Sequence, residues 1–350
     1  MAVARPPRWG NAFTVSRRTG RRIRIVITVV AVCIAISLVT GATPWPSALL
    51  IRSVFEAGGK ATQEEMEPYV PDTKLTTHSD VSYGTDGADT TLDAYTPASA
   101  TTPLPTIVWI HGGAWISGSK ENVDPYLRIL ASHNYTTIGV NYTVGPNATY
   151  PTAVNQLNEA LRYINEHADE LNVDPTQIVL AGDSAGAQLA SQLATLTVNP
   201  DYANLLGITP ALTSSQLAGT ILNCGVYNMD NMAALTGIVG WGFKISLWGY
   251  TGTKNWSETY AGNTMSTMNF VTKDFPPTFI SGGNGDGLTW LQSVPMSHAL
   301  QQAGVDVTEL FWPADHEPSL PHEYQFHLKK FEDAHTALNE TVTFLQQHTH

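Results

Sequence analysis

The stretch "AGDSAGA", residues 181–187, sets one serine, Ser184, between the glycines at 182 and 186, in the pattern G-x-S-x-G. Before it runs "QIVLA", β-branched and apolar; after it runs "GAQLASQLATL", rich in Ala, Leu and Gln, which are strong helix formers. Strand, sharp turn and helix in that order lift a serine hydroxyl above the edge of a sheet. Such a turn brings strand and helix so close that a Cβ at 182 or 186 would clash. The N–H of Ala185 then lies at a helix N-terminus, where it faces developing negative charge.

A second signal lies upstream. "HGGAW", residues 111–115, closes the apolar run "PTIVWI". Glycines there expose peptide N–H groups, and Gly112 and Gly113 are the expected donors to a bound carbonyl oxygen, with Ala185 as a third. Around these two motifs the chain alternates short apolar runs with longer helical ones. Strands are expected at 78–84, 90–97, 105–111, 136–143, 176–182, 217–226, 277–283 and 306–312. The clearest helix is "PTAVNQLNEALRYINEHADEL", with Val154, Leu157, Leu161 and Ile164 on one stripe. A last helix is expected from about 323 to 347. This alternation implies an α/β fold with a mostly parallel eight-stranded sheet and helices on both faces. Residues 227–275 break the alternation with glycines, methionines and aromatics, and read as an inserted cap over the carboxyl edge of the sheet.

The two motifs together resemble the α/β-hydrolase fold, and within it the hormone-sensitive-lipase-like esterases. "HGGAW" is similar to that group's His-Gly-Gly-x oxyanion motif and "GDSAGA" to its nucleophile elbow. "GVNYTVGPNATYPTAVNQLNEAL" resembles the segment after its fourth strand, although Asn141, Tyr142 and Thr143 stand where that group usually has Asp-Tyr-Arg. The resemblance spans about residues 78–347. It implies a serine hydrolase needing no cofactor, with chain order Ser, acid, His. Asp286, in "SGGNGDG" just past the seventh run, is then the acid, with Gly285 and Gly287 turning its carboxylate inward; Asp274 precedes that run and fits less well. Two histidines follow the eighth run. His322, after Pro321, resembles the group's histidine position, and His316 is the alternative base. Trp115, Asp183, Trp241 and Trp248 are candidate pocket residues. The implied substrate is a small ester, short-acyl or aryl. An amide or formamide, an acetylated polymer, or binding of a small molecule without turnover are the alternatives.

No metal is expected. "HEYQFH", 322–327, approaches the His-Glu-x-x-His zinc helix, but His327 falls five residues on and so about 140° off the face of His322. Charge excludes another class. Residues 1–24 hold seven arginines and no acid; against an overall net charge of −12, this leaves −19 on the rest of the chain. An acidic body lacks the basic footprint that nucleic acid requires.

After that basic leader comes "IVITVVAVCIAISLVTGA", residues 25–42, without a charge. It is long enough for a transmembrane anchor, with residues 1–24 cytoplasmic and the hydrolase outside; a signal peptide cleaved near Thr40-Gly41-Ala42 is the alternative. Residues 43–77 read as connector and cap helices, with one helix ending at Gly58-Gly59, and 78–350 as the hydrolase. Cys33 lies inside the apolar run, which leaves Cys224 without an expected disulfide partner.

Overall fold

The computed structural model describes Met1 and residues 17–349. It divides into two units, Met1–Pro46 and Ser47–His350. The first contains the helix Arg17–Ala42; most of the expected leader, residues 2–16, lies outside the described residues. Among the described residues no single helix is long and apolar enough to cross a membrane.

The second unit is built on one eight-stranded sheet: β1 Leu75–Ser82, β2 Thr91–Pro97, β3 Leu104–Ile110, β4 Thr136–Val140, β5 Val173–Asp183, β6 Leu217–Asn223, β7 Thr278–Gly282 and β8 Val307–Phe311. Their order is β1-β2-β4-β3-β5-β6-β7-β8. The pairs β1–β2 and β2–β4 are antiparallel and all the others parallel. The near-continuous apolar runs have a direct cause: the sheet is covered on both faces. Ile107, Trp109, Val179, Ala181, Ile221 and Phe279 point to one side, into a core shared with the helices Asp124–Ala131 and Glu332–His348. Their neighbours Val108, Ile110, Leu180, Leu222 and Ile280 point to the other, against the helices Thr152–Glu166, Ala185–Val198 and Val294–Ala303.

Register puts the chemistry at one edge. Ile110 pairs with Gly182, Asp183 with Asn223, and Asn223 with Ser281. The loops after β3, β5, β6 and β7 therefore leave the sheet at the same level. Between β6 and β7, the interval 227–275 forms the helices Met229–Ala233, Gly237–Thr251 and Tyr260–Met265.

Several boundaries differ from expectation: β5 starts at Val173, and β4 and β6 end at Val140 and Asn223. β1 begins at Leu75, so the sheet starts ahead of residue 78. The helix Trp45–Met66 runs through Gly58-Gly59. Two internal glycines cost a helix about 2 kcal/mol relative to alanines, and tertiary contacts on both sides of them offset this. Arg52 donates to the carbonyls of Ile116 (2.6 Å) and Gly145 (2.7 Å), Glu65 pairs with Lys330 (2.8 Å), and Met66 is fully buried. The last helix begins at Glu332, not near 323; a short 3-10 turn, Tyr324–Phe326, occupies the earlier stretch.

Candidate active site

Ser184 sits between β5 and the helix Ala185–Val198 with φ +50° and ψ −117°. A side chain rarely adopts that backbone, and it persists only where the surroundings fix it. They do so through packing. A Cβ on Gly186 would lie 2.0 Å from the carbonyl oxygen of Ile110, and one on Gly182 2.5 Å from the backbone of Gly186. The N–H of Ser184 donates to the carbonyl of Asn223 at the end of β6 (2.8 Å).

From this turn three side chains line up. Ser184 Oγ lies 2.9 Å from His322 Nε2, and His322 Nδ1 lies 2.6 Å from Asp286 Oδ2. The other oxygen of Asp286 accepts from the N–H of Leu288 (2.9 Å), and the side chain is almost wholly buried. Asn284 stitches the two loops together: its side chain donates to the carbonyl of His316 (2.8 Å) and accepts from the N–H of Leu320 (2.9 Å), while Gly285 N–H donates to Leu320 (2.9 Å). Gly285 permits this approach; a Cβ on it would meet Ser319 Oγ at 2.3 Å. Gly287 has open space around it, so the inward turn of Asp286 does not depend on it. His322 sits on the loop, ten residues before the last helix.

The alternative base is elsewhere engaged. His316 stacks on Trp312 with ring centres 4.5 Å apart, and its Nε2 is 3.2 Å from Asp333 on the last helix. His327 and Lys330 both face Glu65, at 3.4 and 2.8 Å. The only group of three metal-ligating side chains among the described residues is Cys224, Asp286 and His322, and two of these belong to the line just described.

The glycine motif needs a correction. Gly112 N–H donates to Asp183 Oδ2 (2.8 Å) and is not available to a carbonyl oxygen. The chain then turns through three residues with positive φ: Gly113 (+103°), Ala114 (+51°) and Trp115 (+60°). Among the described residues the N–H groups of Gly113, Ala114 and Ala185 have no hydrogen-bond partner. Sequence reasoning missed Ala114, since which amide is left free depends on a carboxylate 71 residues away. Behind the turn His111 is buried, stacked on Tyr142 at 4.4 Å, and its Nδ1 is 2.8 Å from the carbonyl of Gly112. Burial pulls its pKa down to about 4, so the ring is neutral. Tyr142 donates to the carbonyl of His111 (3.1 Å), and Asn141 Oδ1 accepts from the N–H of Lys120 (2.7 Å).

Of the four candidate pocket residues, the structure places Trp241 on the wall of the apolar cavity. A cavity of about 690 Å³ opens above Asp286 and His322, walled by Leu50, Val54 and Phe55 from one helix and Trp241 and Phe243 from another. Trp115 is wholly buried; it donates to Gln188 Oε1 (3.0 Å) and stacks on Tyr250, so it anchors the turn from below. Trp248 packs with Ala48, Ala114, Ile116 and Ile245. Asp183 borders a second cavity of about 530 Å³, but its oxygens are taken by Trp109 Nε1 (2.8 Å) and Gly112 N–H. The wall from helix Trp45–Met66 had a signal in the sequence, the apolar stripe Leu49, Leu50, Val54, Phe55. That stripe faces the cavity and solvent instead of a core.

Electrostatics single out His322. Burial opposes its charge, but the hydrogen bond and charge of Asp286, joined by Glu323 and Asp183, override this and raise its pKa to about 9. Asp183 is raised well above the usual carboxylate range, first by burial and then by the charge of Glu323.

The profile of the BD-FAE family matches residues 92–300, more than half of the chain. The chain belongs to the BD-FAE family. Its fold is shared with solved esterases. An esterase B from Lactobacillus rhamnosis, inhibited by a tributyrin phosphonate, superposes with a TM-score of 0.72 at 22% identity, over 87% of this chain and 96% of that one. A bacterial heroin esterase gives 0.66 at 23%, over 85% and 91%, and a Pyrobaculum calidifontis esterase 0.68 at 20%, over 87% and 94%. The resemblance drawn from "HGGAW" and "GDSAGA" and the BD-FAE match point to one α/β-hydrolase fold.

Proposed function

We propose that this BD-FAE member is a serine carboxylic-ester hydrolase. The observation that carries the reading is the unbroken line from Asp286 through His322 to Ser184, which ends beside three unpaired amides. In it, Asp286 fixes the imidazole with its proton on Nδ1, leaving Nε2 to accept the Ser184 proton. Ser184 Oγ attacks the ester carbonyl. The oxygen that becomes negative is received by the N–H groups of Gly113, Ala114 and Ala185, each such donor contributing on the order of 100-fold or more. His322 passes its proton to the leaving alcohol. Water, deprotonated by the same nitrogen, then releases the acid and restores Ser184. The apolar cavity takes the acyl part, in keeping with short-acyl or aryl esters. The esterases that share the fold, one of them inhibited by a phosphonate, support the same class.

The test is direct. A fluorophosphonate should label Ser184, and Ser184→Ala should abolish both labelling and hydrolysis of p-nitrophenyl esters with the melting temperature nearly unchanged. Folded protein that neither reacts with the probe nor turns over any ester or simple amide would instead be a binding relative.

For location, we propose that the basic leader and the apolar run 25–42 hold the chain in the cell membrane with the hydrolase part outside. The charge asymmetry of the sequence supports this. Activity should stay with membranes through a carbonate wash and be released by removing residues 1–42; activity in the medium from wild-type chain would mean cleavage instead.

A further inference from the structure

Three carboxyl groups surround the imidazole of His322, and the proposed mechanism uses one of them. Asp286, on the loop after β7, takes Nδ1. On the other side, Glu323 Oε1 lies 3.6 Å from Nε2, the nitrogen that must accept the Ser184 proton. Glu323 is held there at some cost, since its backbone is left-handed, φ +58°. Its carboxyl group reaches over Gly112 to Asp183: a Cβ built on Gly112 would meet Asp183 Oδ2 at 2.2 Å and Glu323 Oε1 at 3.1 Å, so both carboxyls converge on one spot. Asp183 is buried and Glu323 about one-third exposed. Two carboxylates in contact do not both stay ionised, and the buried one keeps the proton. Asp183 is accordingly raised well above the usual carboxylate range, first by burial and then by the charge of Glu323, the carboxyl nearer His322.

The other groups around the ring do not cancel that charge. Cys224, at the end of β6, has its sulfur within 4.8 Å of the ligand atoms of Asp286 and His322 and is held in its thiol form, first by burial and then by these same acids. The basic groups on the Glu323 side, His327 and Lys330, are turned onto Glu65.

Resting on the serine-hydrolase reading above, we propose that Glu323 is a positioning residue: its carboxylate, 3.6 Å from Nε2, acts through its charge and so keeps the resting His322 as imidazolium until the pH rises. No bond is made or broken to carbon in this step. A proton on Nε2 is donated to Ser184 Oγ, 2.9 Å away, and bars the nitrogen from accepting the serine proton; its loss to solvent opens the site. The device sets the pH range of the reaction without touching substrate.

Glu323→Gln tests this in the full chain, because the amide keeps its shape and can still meet Asp183 while losing the charge. Two readouts are needed: the titration of His322 by NMR of ring-labelled histidine, assigned by its loss in His322→Gln, and the pH profile of kcat/KM. The expected result is a His322 midpoint lower by about one unit or more, with kcat/KM at pH 7 raised several-fold. A midpoint that stays within about 0.3 unit of wild type, or one that moves upward, overturns the proposal; a fall in activity with an unmoved midpoint would mean that Glu323 only props the loop. The NMR readout does not depend on turnover. Failure of the hydrolase reading, seen as no ester turnover by the wild type, is therefore distinguishable from failure of this one.

Discussion

At the scale of single residues, the proposed mechanism makes His322 couple stability to activity in opposite directions. Its pKa in the fold, about 9, lies above the ordinary histidine value. The stabilisation from its charged form is therefore complete below about pH 6.5 and is lost as pH rises through about 9. The neutral ring needed as a base appears over the same window. Ester hydrolysis should climb through pH 9 while the melting temperature falls, which parallel activity and melting profiles would check. His322→Ala should lower kcat by on the order of 10⁴-fold, whereas His316→Ala, whose ring meets Trp312 and Asp333, should keep it within a few-fold; the reverse would move the base to 316. Gly186→Ala has no room against the carbonyl of Ile110 and should cost about 1–3 kcal/mol in urea unfolding. These residues also divide by what a sequence can disclose. The Ser184 turn was legible because its flanking glycines are forced locally. Asp286 and His322 were legible from chain order alone. Gly112 was misread because its amide is taken by Asp183, and Trp115 because three positive φ values swing its ring under the turn.

At the scale of elements, β3, β5 and β6 were the most legible strands, since a sheet covered on both faces leaves nearly uninterrupted apolar runs there, whereas the edge strand β1, Leu75–Ser82, is polar and largely exposed. Helix ends were less legible. Gly58-Gly59 looks like a stop, yet contacts distant in sequence carry the helix through it. Those contacts make a prediction. Arg52→Ala removes two charged hydrogen bonds to the carbonyls of Ile116 and Gly145. It should destabilise by about 2–3 kcal/mol and raise KM more than it lowers kcat, because Leu50, Val54 and Phe55 would no longer hold the cavity wall. Trp241→Ala should weaken binding of p-nitrophenyl hexanoate about 10-fold, the loss of roughly 60 Å² of apolar contact, and leave p-nitrophenyl acetate nearly unaffected. Equal effects on both esters would take Trp241 off the acyl path.

At the scale of the whole molecule, the loops that carry Ser184, Asp286 and His322 leave the sheet at one level, fixed by strand register. The cavity wall has a different origin. Beyond the loops that carry Asp286 and His322, it comes chiefly from chain that precedes the first strand and from the interval between β6 and β7, and neither contributes a strand. On the proposed mechanism, the bond-making side chains and most of the apolar cavity wall are thus written in separate stretches of sequence. Over evolutionary time the walls can drift, lengthen or be exchanged while the reactive serine stays where the backbone puts it. Grafting residues 47–66 from a relative with another acyl preference should therefore transplant that preference in a single step.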